Sequence, residues 1–483
     1  MAENLTIIIL AAGKGTRIGG EAAKVLRNSF SGPLLQEVMK SAIGLHPEKI
    51  LIVTGFQAEE VECAARGFLE TICNNTVHKD GENRFSGSLE FYRQTEQRGT
   101  GDAVKAAIPG LRGFSGEVLI LCGDAPVILP SSLQSLIANH REQNATVSLL
   151  TAHLPEPASY GRILRSPETG ELTGIREARD SSAEELQIQE VNSGVYVVDS
   201  AFLPGAISQL EPDNAQGEFY LTDIVGQAIQ EGQRVVSSSC SSDELTGVNS
   251  HTDLNAVNAI QQRRIRDRFS AQGVSFLQPE SVSIHPMAVI GAGVHIGPSV
   301  VIGENVQISN NVTIEGMSYI TNATIGEGST IKWGCRIDGA RVGTGSSVGP
   351  FAHLRPGSRL GTNVKIGNFV EVKESTLGDE AKASHLSYLG DAHIGAGANI
   401  GAGTITCNYD GYTKSTTIVG DGAFIGSNSS LVAPVEIGHG ATVGAGSIIT
   451  KAVAADALAV TRAEQRELAG WSKKKRERSP LKK

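Results

Sequence analysis

The sequence contains no pair of cysteines at CxxC spacing and no apolar run long enough to cross a bilayer. Its six cysteines are scattered along 483 residues, so neither a zinc site nor a disulfide framework is predicted, and a reducing cytoplasm fits best. No segment approaches about 18 consecutive apolar residues, so we expect no transmembrane helix. The start, MAENLTIIILAAGKG, has an acidic residue where a signal peptide needs positive charge, and we interpret it as a first buried strand.

An excess of basic charge is also missing. The formal net charge of −9 argues against general attraction to nucleic acid or to an anionic membrane. The 56 glycines are well above the usual share and require many tight turns. At roughly 150 residues per domain, the length allows about three units.

The first half of the chain alternates short apolar runs with helical patterns. The runs TIIIL, ILIVTG, EVLILCGD, ATVSLLTA and GVYVVD are strand-like, and amphipathic stretches separate several of them. This alternation predicts an α/β domain with a mostly parallel sheet covered by helices. Ligands of such sheets bind beyond the carboxyl ends of the strands.

The second half has a period of six residues. Aliphatic residues followed by glycine recur from Ile290 to Val443, which predicts a parallel β-helix of hexapeptide repeats. Three hexapeptides form one triangular coil, so residues 18 apart are expected to stack about 4.8 Å above each other.

A helical pattern separates the two halves. Ser250 with Asp253 resembles a capping box, and Gly273 can end the helix. We therefore predict domains over residues 1–250 and 274–462, a linker helix over 251–273 and a basic, solvated tail over 463–483.

The loop LAAGKGTRIGGEAAK, residues 10–24, follows the first predicted strand and can present backbone N–H groups to a phosphate. A P-loop pattern is absent, and the dinucleotide pattern GxGxxG fails because Ile18 stands where glycine is needed. A plain strand-to-helix turn explains the glycines but not Lys14, Arg17 and Lys24 together.

LAAGKGTR followed by KVL resembles nucleotidyltransferases that make nucleotide sugars. The further motifs QTEQRGTGDA, LCGDAP, YGRI, GIREARD, EVNSGVY and TGVNS follow in order. Joined to hexapeptide repeats, the sequence resembles over nearly its full length the bifunctional GlmU family of bacterial N-acetylglucosamine-1-phosphate uridylyltransferases and glucosamine-1-phosphate N-acetyltransferases. The resemblance implies a Rossmann-like nucleotidyltransferase domain followed by a left-handed parallel β-helix.

For uridylyl transfer, the resemblance implies phosphate contacts and a metal site. Arg17 and Lys24 are expected to face the phosphates as catalytic cations, and Asp124 with Asn249 to hold Mg²⁺. Taken alone, Asp124 is more simply a turn residue after a strand. Asp102 departs from the family, whose members often have histidine there. The implied nucleotide and sugar contacts are Leu10, Ala11, Ala12, Gly13, Lys24, Gln94, Gly99, Thr100, Gly161, Glu177, Asn192 and Asn249.

For acetyl transfer, the period itself places two cations. Arg355 and Lys373 each follow an inward aliphatic residue and are 18 residues apart, so they are expected to stack on one outer face as a phosphate clamp. His385 stands off the inward register, and the resemblance implies that it is the general base. We expect these three residues to line one acylation pocket. The resemblance adds Tyr388 and Asn399 to the sugar phosphate site, and Ala402, Asn408, Tyr409, Ser427, Ala445 and Arg462 to an acetyl-CoA site.

The resemblance implies a homotrimeric enzyme that uses UTP, acetyl-CoA, glucosamine 1-phosphate and N-acetylglucosamine 1-phosphate. One alternative is a single-function sugar nucleotidyltransferase with a regulatory or oligomerising β-helix, as in ADP-glucose pyrophosphorylases. His385 with Arg355, Lys373 and the loop over residues 407–414 argues against it, because a passive β-helix needs none of them. A second alternative is a non-catalytic scaffold, like the nucleotidyltransferase-like subunits of translation exchange factors. Intact Arg17, Lys24 and Asp124 argue against that.

Overall fold

The computed structural model describes residues 4–15, 19, 22–74 and 85–478. The chain divides into two compact units, residues 1–262 and 263–483. Within the described ranges, every helix is too short or too polar to cross a membrane. The assignment of separate activities to the predicted domains stays a prediction.

The first unit contains a central sheet and a small strand pair. Its strands are β1 (Leu5–Ala11), β2 (Asn28–Ser29), β3 (Gly32–Pro33), β4 (Lys49–Thr54), β5 (Ser88–Arg93), β6 (Glu117–Cys122), β7 (Val147–His153), β8 (Arg162–Arg165), β9 (Leu172–Arg176), β10 (Glu190–Asp199) and β11 (Val235–Ser239). The central sheet has the order β11-β7-β10-β6-β1-β4-β5, and β8 with β9 attaches through β10. β1 runs parallel to β4 and β6, while β10 is antiparallel to its neighbours. The predicted mostly parallel sheet is confirmed.

Helices cover both faces of this sheet because β1 carries apolar side chains on both sides. Ile7 and Ile9 pack in one core cluster and Ile8 in another, as the alternation of side chains along a strand requires. The helices are α1 (Leu34–Ile43), α2 (Ala58–Asn74), α3 (Thr100–Ala107), α4 (Pro130–Glu142), α5 (Leu203–Ser208), α6 (Asp223–Gln230) and α7 (His251–Ala271). The last of these occupies the residues predicted as a linker helix.

The second unit is built from three parallel sheets, here called the first, second and third wall, and ends in α8 (Trp471–Arg478). The first wall consists of Ser275–Phe276, His295–Ile296, Thr313–Ile314, Thr330–Ile331, Ser347–Val348, Lys365–Asn368, Lys382–His385, Asn399–Ile400, Phe424–Ile425, Thr442–Val443 and Leu458–Ala459. The second wall consists of Ser283–Ile284, Val301–Ile302, Tyr319–Thr321, Arg336–Asp338, His353–Leu354, Glu371–Lys373, Tyr388–Gly390, Ile405–Cys407, Ser430–Val432 and Ile448–Ile449. The third wall consists of Val289–Ile290, Gln307–Ile308, Thr324–Ile325, Arg341–Val342, Arg359–Leu360, Thr376–Leu377, Ala392–Ile394, Thr417–Val419 and Val435–Ile437.

Stacked aliphatic residues fill the interior of this unit. Leu354, Val372 and Leu389 are consecutive register partners on the second wall, and each is buried. One step spans 18 residues and the next 17, so the coils vary in length by one residue at a corner. The coil from Ile394 to Val419 is longer because it contains a loop. The arrangement is that of a left-handed β-helix of hexapeptide repeats, and the predicted fold class is confirmed.

The corner between the first and second walls carries a row of exposed apolar side chains. We call this row, Met317, Trp333, Phe351, Phe369 and Leu386, the corner ladder. The rings of Phe351 and Phe369 stack with centroids 5.6 Å apart. Phe351, Phe369 and Leu386 have positive φ, a backbone conformation that is unfavourable for bulky residues. Asparagine tolerates this conformation better and adopts it at similar corners, for example at Asn363.

Candidate active sites

A cavity of about 340 Å³ lies at the carboxyl edge of the central sheet of the first unit. Residues far apart in the sequence lie together at this edge because the parallel strands β1, β5 and β6 all end there. The predicted residues that line the cavity are Leu10, Ala12, Gly13, Lys24, Gln94, Gly99, Thr100 and Asp124. Ala11 is buried within β1 and is not part of the lining. Arg17 lies outside the described residues.

The loop that precedes α3 closes one side of this cavity. Gly99 has a φ of 112°, and a Cβ at this position would lie 2.6 Å from the carbonyl oxygen of Phe219. The amide of Gly101 donates to that same oxygen at 2.8 Å. Glycine is therefore needed where two backbone segments meet beside the cavity.

Lys24 and Asp124 line the cavity, and Asn249 meets them at the Lys24 ammonium. The ammonium of Lys24 forms an ion pair with Asp124 and a hydrogen bond of 2.6 Å to Asn249 Oδ1. The Asp253 carboxylate, at the start of α7, accepts from the backbone amides of Asn249 and Ser250 at 2.9 and 2.8 Å. The amide of Val248 donates to the carbonyl of Asp124 at 2.9 Å. Two separate segments thus point oxygens at one cation.

These two oxygens fit a hard divalent cation, which prefers oxygen ligands and retains several waters. No cluster of three or more histidine, cysteine, aspartate or glutamate side chains with metal-binding geometry occurs in the part of the chain that the structure describes. A cation held here would therefore depend on few protein ligands.

A second cavity of about 210 Å³ adjoins the first and shares Leu10, Thr100 and Cys122 with it. Gly161, Glu177 and Asn192, predicted as sugar contacts, line it. The shared residues place two ligand pockets side by side, as a reaction between two bound molecules requires.

The polar groups of the second cavity are oriented before a ligand binds. Asn192 donates to Tyr196 Oη at 2.6 Å and accepts from the amide of Gly194 at 3.1 Å. Thr222 donates to Glu177 at 3.2 Å. Burial raises the pKa of Glu177, and this effect outweighs the lowering by the Thr222 hydroxyl. Thr222 also lines the cavity, but no motif identified it in the sequence.

In the second unit, Arg355 and Lys373 occupy adjacent coils at one edge of the second wall. Leu354 and Val372 are register partners, and the amide of Arg355 donates to the carbonyl of Val372 at 2.9 Å. Arg355 also contacts Glu371 at 2.7 Å. The backbone thus places the two residues in adjacent coils, and their joint role as a phosphate clamp stays a prediction.

Gly390, the register partner of Lys373, makes room for two neighbouring side chains beside these cations. A Cβ there would clash with Tyr388 Oη and lie 2.8 Å from Asn408 Nδ2. Asn408 is buried and hydrogen-bonds to Asp391. The second wall therefore brings Tyr388 and Asn408 close to the clamp.

His385 ends a strand of the first wall and is exposed, whereas Ala383 and Leu389 on either side are buried. Its Nδ1 lies 2.7 Å from Asn368 Oδ1, and the two residues are register partners. Since an amide oxygen only accepts, this contact favours the neutral tautomer with the proton on Nδ1 and the lone pair on Nε2. Asn368 was not predicted, because its 17-residue offset departs from the regular repeat.

His385 and three small residues follow consecutive strands of the first wall, one in each coil. We call this set, His385, Ala402, Ser427 and Ala445, the corner row. Their inward neighbours Ala383, Ile400, Ile425 and Val443 are consecutive register partners. Arg462 donates to the carbonyl of Ala445 at 2.8 Å, at the far end of the row. The row thus runs along the axis of the coils from the His385 imidazole at one end to the Arg462 guanidinium at the other.

Two other predicted residues lie on different walls. Asn399 is on the first wall, and Tyr409 is exposed at the start of the loop that follows the second-wall strand Ile405–Cys407. His385 belongs to the first wall, whereas Arg355 and Lys373 lie at the far edge of the second. The three residues expected to line one pocket are thus divided between two walls of the chain.

Comparisons with known proteins agree with this division into two units. The nucleotidyl transferase family matches residues 6–243, the GMPPB C-terminal domain matches residues 278–358, and the hexapeptide repeat of succinyl-transferase matches residues 416–451. The predicted combination of a nucleotidyltransferase with hexapeptide repeats is confirmed, and a divalent metal cofactor fits this family.

Curated relatives match nearly the whole chain. A protein of Pelobacter propionicus is 41% identical, with 97% of this chain and 98% of the relative covered. One of Idiomarina loihiensis is 42% identical with the same coverage, and one of Shouchella clausii is 38% identical with 95% and 96% covered. All three are named bifunctional protein GlmU. The chain therefore belongs to the bifunctional GlmU family of enzymes.

Proposed function

We propose that this enzyme makes UDP-N-acetylglucosamine in two steps, a product used for bacterial cell wall and surface polysaccharides. It first acetylates glucosamine 1-phosphate with acetyl-CoA and then joins N-acetylglucosamine 1-phosphate to UTP, releasing pyrophosphate. The observation that carries the proposal is the pair of adjoining cavities in one unit together with the His385 corner row in the other.

In the acetyl transfer step, His385 Nε2 takes a proton from the ammonium of glucosamine 1-phosphate. The freed amine attacks the thioester carbonyl, a C–N bond forms, the C–S bond breaks and the CoA thiolate takes up a proton. Arg355 and Lys373 hold the sugar phosphate with Tyr388 of the same wall, and Asn399 contacts the sugar from the first wall, on the side of His385. Acetyl-CoA extends along the corner row, with Asn408 and Tyr409 beside its acetyl end and Arg462 at its phosphates.

In the uridylyl step, a phosphate oxygen of N-acetylglucosamine 1-phosphate attacks the α-phosphorus of UTP, and the bond to pyrophosphate breaks. Glu177, Asn192 and Gly161 hold the sugar, and the loop from Leu10 to Gly13 with Gln94, Gly99 and Thr100 holds the nucleoside. Lys24 and Arg17 bind the triphosphate. Asp124 and Asn249 would hold Mg²⁺, which when bound neutralises charge on the phosphates.

Omission of single components tests this proposal. Purified protein with glucosamine 1-phosphate, acetyl-CoA, UTP and Mg²⁺ is expected to form UDP-N-acetylglucosamine, measured by liquid chromatography. Without UTP, N-acetylglucosamine 1-phosphate accumulates instead. Formation of a UDP sugar from glucosamine 1-phosphate at the same rate without acetyl-CoA would contradict a required acetylation step.

The division of the clamp and the base between two walls supports a homotrimer. A second copy of the chain that packs on the corner ladder would cover its exposed aromatic rings and bring a wall of one chain beside a wall of another. Bulky residues at positive φ cost conformational free energy. Burial of their apolar side chains in an interface between chains would offset this cost, whereas exposure to water does not.

A double substitution in the corner ladder tests the trimer. The double variant Phe351→Asn with Phe369→Asn removes the two apolar rings and introduces asparagine, which tolerates the positive φ of both positions. The mass in solution is expected to fall from three chains of 50.7 kDa to one, as measured by light scattering. Acetyl transfer should fall with it while uridylyl transfer persists. Ile418→Thr, on the third wall, is the control; an unchanged mass in the double variant would refute this interface.

The free state of Cys63, Cys122, Cys240, Cys335 and Cys407 supports a reducing cytoplasmic location.

A further inference from the structure

The carboxamide of Gln94 is held in one orientation at the wall of the larger cavity. Its Nε2 donates to the carbonyl of Gly99 at 3.1 Å and to Asp102 Oδ2 at 3.0 Å. A carboxamide nitrogen has two protons, so both are used by these two acceptors. Gln94 is buried except where it lines the cavity.

The remaining polar atom of this side chain is its oxygen. No donor among the residues that the structure covers contacts Gln94 Oε1. This oxygen is accessible from the cavity, where a ligand that supplies an N–H group gains a hydrogen bond. The cavity wall therefore presents an acceptor to whatever binds beside Gln94.

Asp102 enforces this orientation. Its Oδ1 accepts from Arg98 at 3.0 Å, and Arg98 also lies over the ring of Phe219, 5.4 Å from its centroid. An ionised carboxylate only accepts hydrogen bonds, so Asp102 can pair with the nitrogen of Gln94 but not with its oxygen. Asp102 is itself 9% exposed, so this interaction is shielded from water.

We infer that Asp102 is a positioning residue that sets base selectivity by fixing Gln94 with its oxygen toward the nucleotide base. This inference rests on the proposed nucleotide site. Uracil carries an N–H group at ring position 3, whereas cytosine has an acceptor there. Cytosine would oppose one acceptor with another and leave both unpaired, which sites built around a hydrogen bond discriminate against strongly.

Asp102→Asn tests the inference. In this variant the side-chain oxygen of the introduced asparagine accepts from Arg98, so its NH₂ group faces Gln94. An NH₂ group needs an acceptor, and it therefore favours the flipped orientation of Gln94, with the oxygen of Gln94 turned away from the base. The preference for UTP over CTP, measured as the ratio of dissociation constants by calorimetry and of kcat/KM values, is expected to fall at least about tenfold. KM for UTP should rise more than kcat falls, because the changed contact binds the base and not the reacting phosphates.

Glu96→Gln is the matched control, since Glu96 is exposed and contacts Arg98 at 3.3 Å but leaves the bond from Asp102 to Gln94 intact. Its preference should stay within about threefold of the parent, and thermal unfolding verifies that each variant folds. An unchanged preference in Asp102→Asn, when Gln94→Ala weakens UTP binding, would overturn the inference and leave the proposed function standing. Unchanged UTP binding in Gln94→Ala would overturn the assigned role of Gln94 and this inference with it.

Discussion

Replacement of His385 by alanine is expected to reduce acetyl transfer by about 10²- to 10⁴-fold, the usual contribution of a general base. The substitution removes the only nitrogen in the proposed mechanism that takes the ammonium proton. Uridylyl transfer from N-acetylglucosamine 1-phosphate should stay at the parent level, because its residues lie in the other unit. The two rates are measured separately, as release of free CoA and of pyrophosphate.

His393→Ala provides the matched control for this loss. His393 is also exposed and hydrogen-bonds to a side chain one coil away, Thr376 at 2.8 Å, but it lies on the third wall. Its loss should leave acetyl transfer close to that of the parent. Retention of more than a tenth of the activity in His385→Ala would exclude His385 as the base.

Replacement of Asp124 by asparagine should reduce uridylyl transfer by about 10²- to 10³-fold, in the range seen when one group that stabilises the transition state is removed. The substitution keeps the shape of the side chain but removes the charge that faces Lys24 and would hold the metal. The metal concentration needed for half of the maximal rate should rise, which pyrophosphate release at a series of Mg²⁺ concentrations measures. Acetyl transfer should persist.

Asp199→Asn is the control for Asp124. Asp199 ends the antiparallel strand β10 beside the start of β6, so it lies at the opposite edge of the sheet from the cavities. Circular dichroism distinguishes a catalytic loss from unfolding, because Lys24 is buried and loses its carboxylate partner in Asp124→Asn. Full uridylyl activity in a folded Asp124→Asn variant would contradict the proposed metal site.

The local patterns of the sequence predicted the parts of the structure that depend on neighbours at a fixed spacing. The six-residue period identified the inward rows, and the 18-residue offset placed Arg355 above Lys373. Asn368 was missed because one coil is a residue shorter, which hides its pairing with His385. The wall on which each outward residue lies could not be predicted, because it depends on the lengths of the corners, where the six-residue period does not hold.

Contacts between distant segments could not be predicted from spacing. Lys24 and Asn249 are separated by 225 residues, and only the folded sheet brings them together. Thr222 lines the second cavity from a segment without a recognisable motif. The resemblance to a known family supplied Asn249 and Glu177, but it could not supply the pairing of Gln94 with Asp102, because this chain departs from the family at that position.

In the proposed binding mode, the corner row fixes the distance that the acyl donor must span. Three steps of about 4.8 Å separate His385 from Ala445, so the backbone sets a distance of roughly 14 Å between the proton acceptor and the last small residue before Arg462. This length changes only in whole strand spacings, since a coil is either present or absent. We therefore expect the number of coils beyond His385 to favour acyl carriers whose reactive end and charged end are about that far apart.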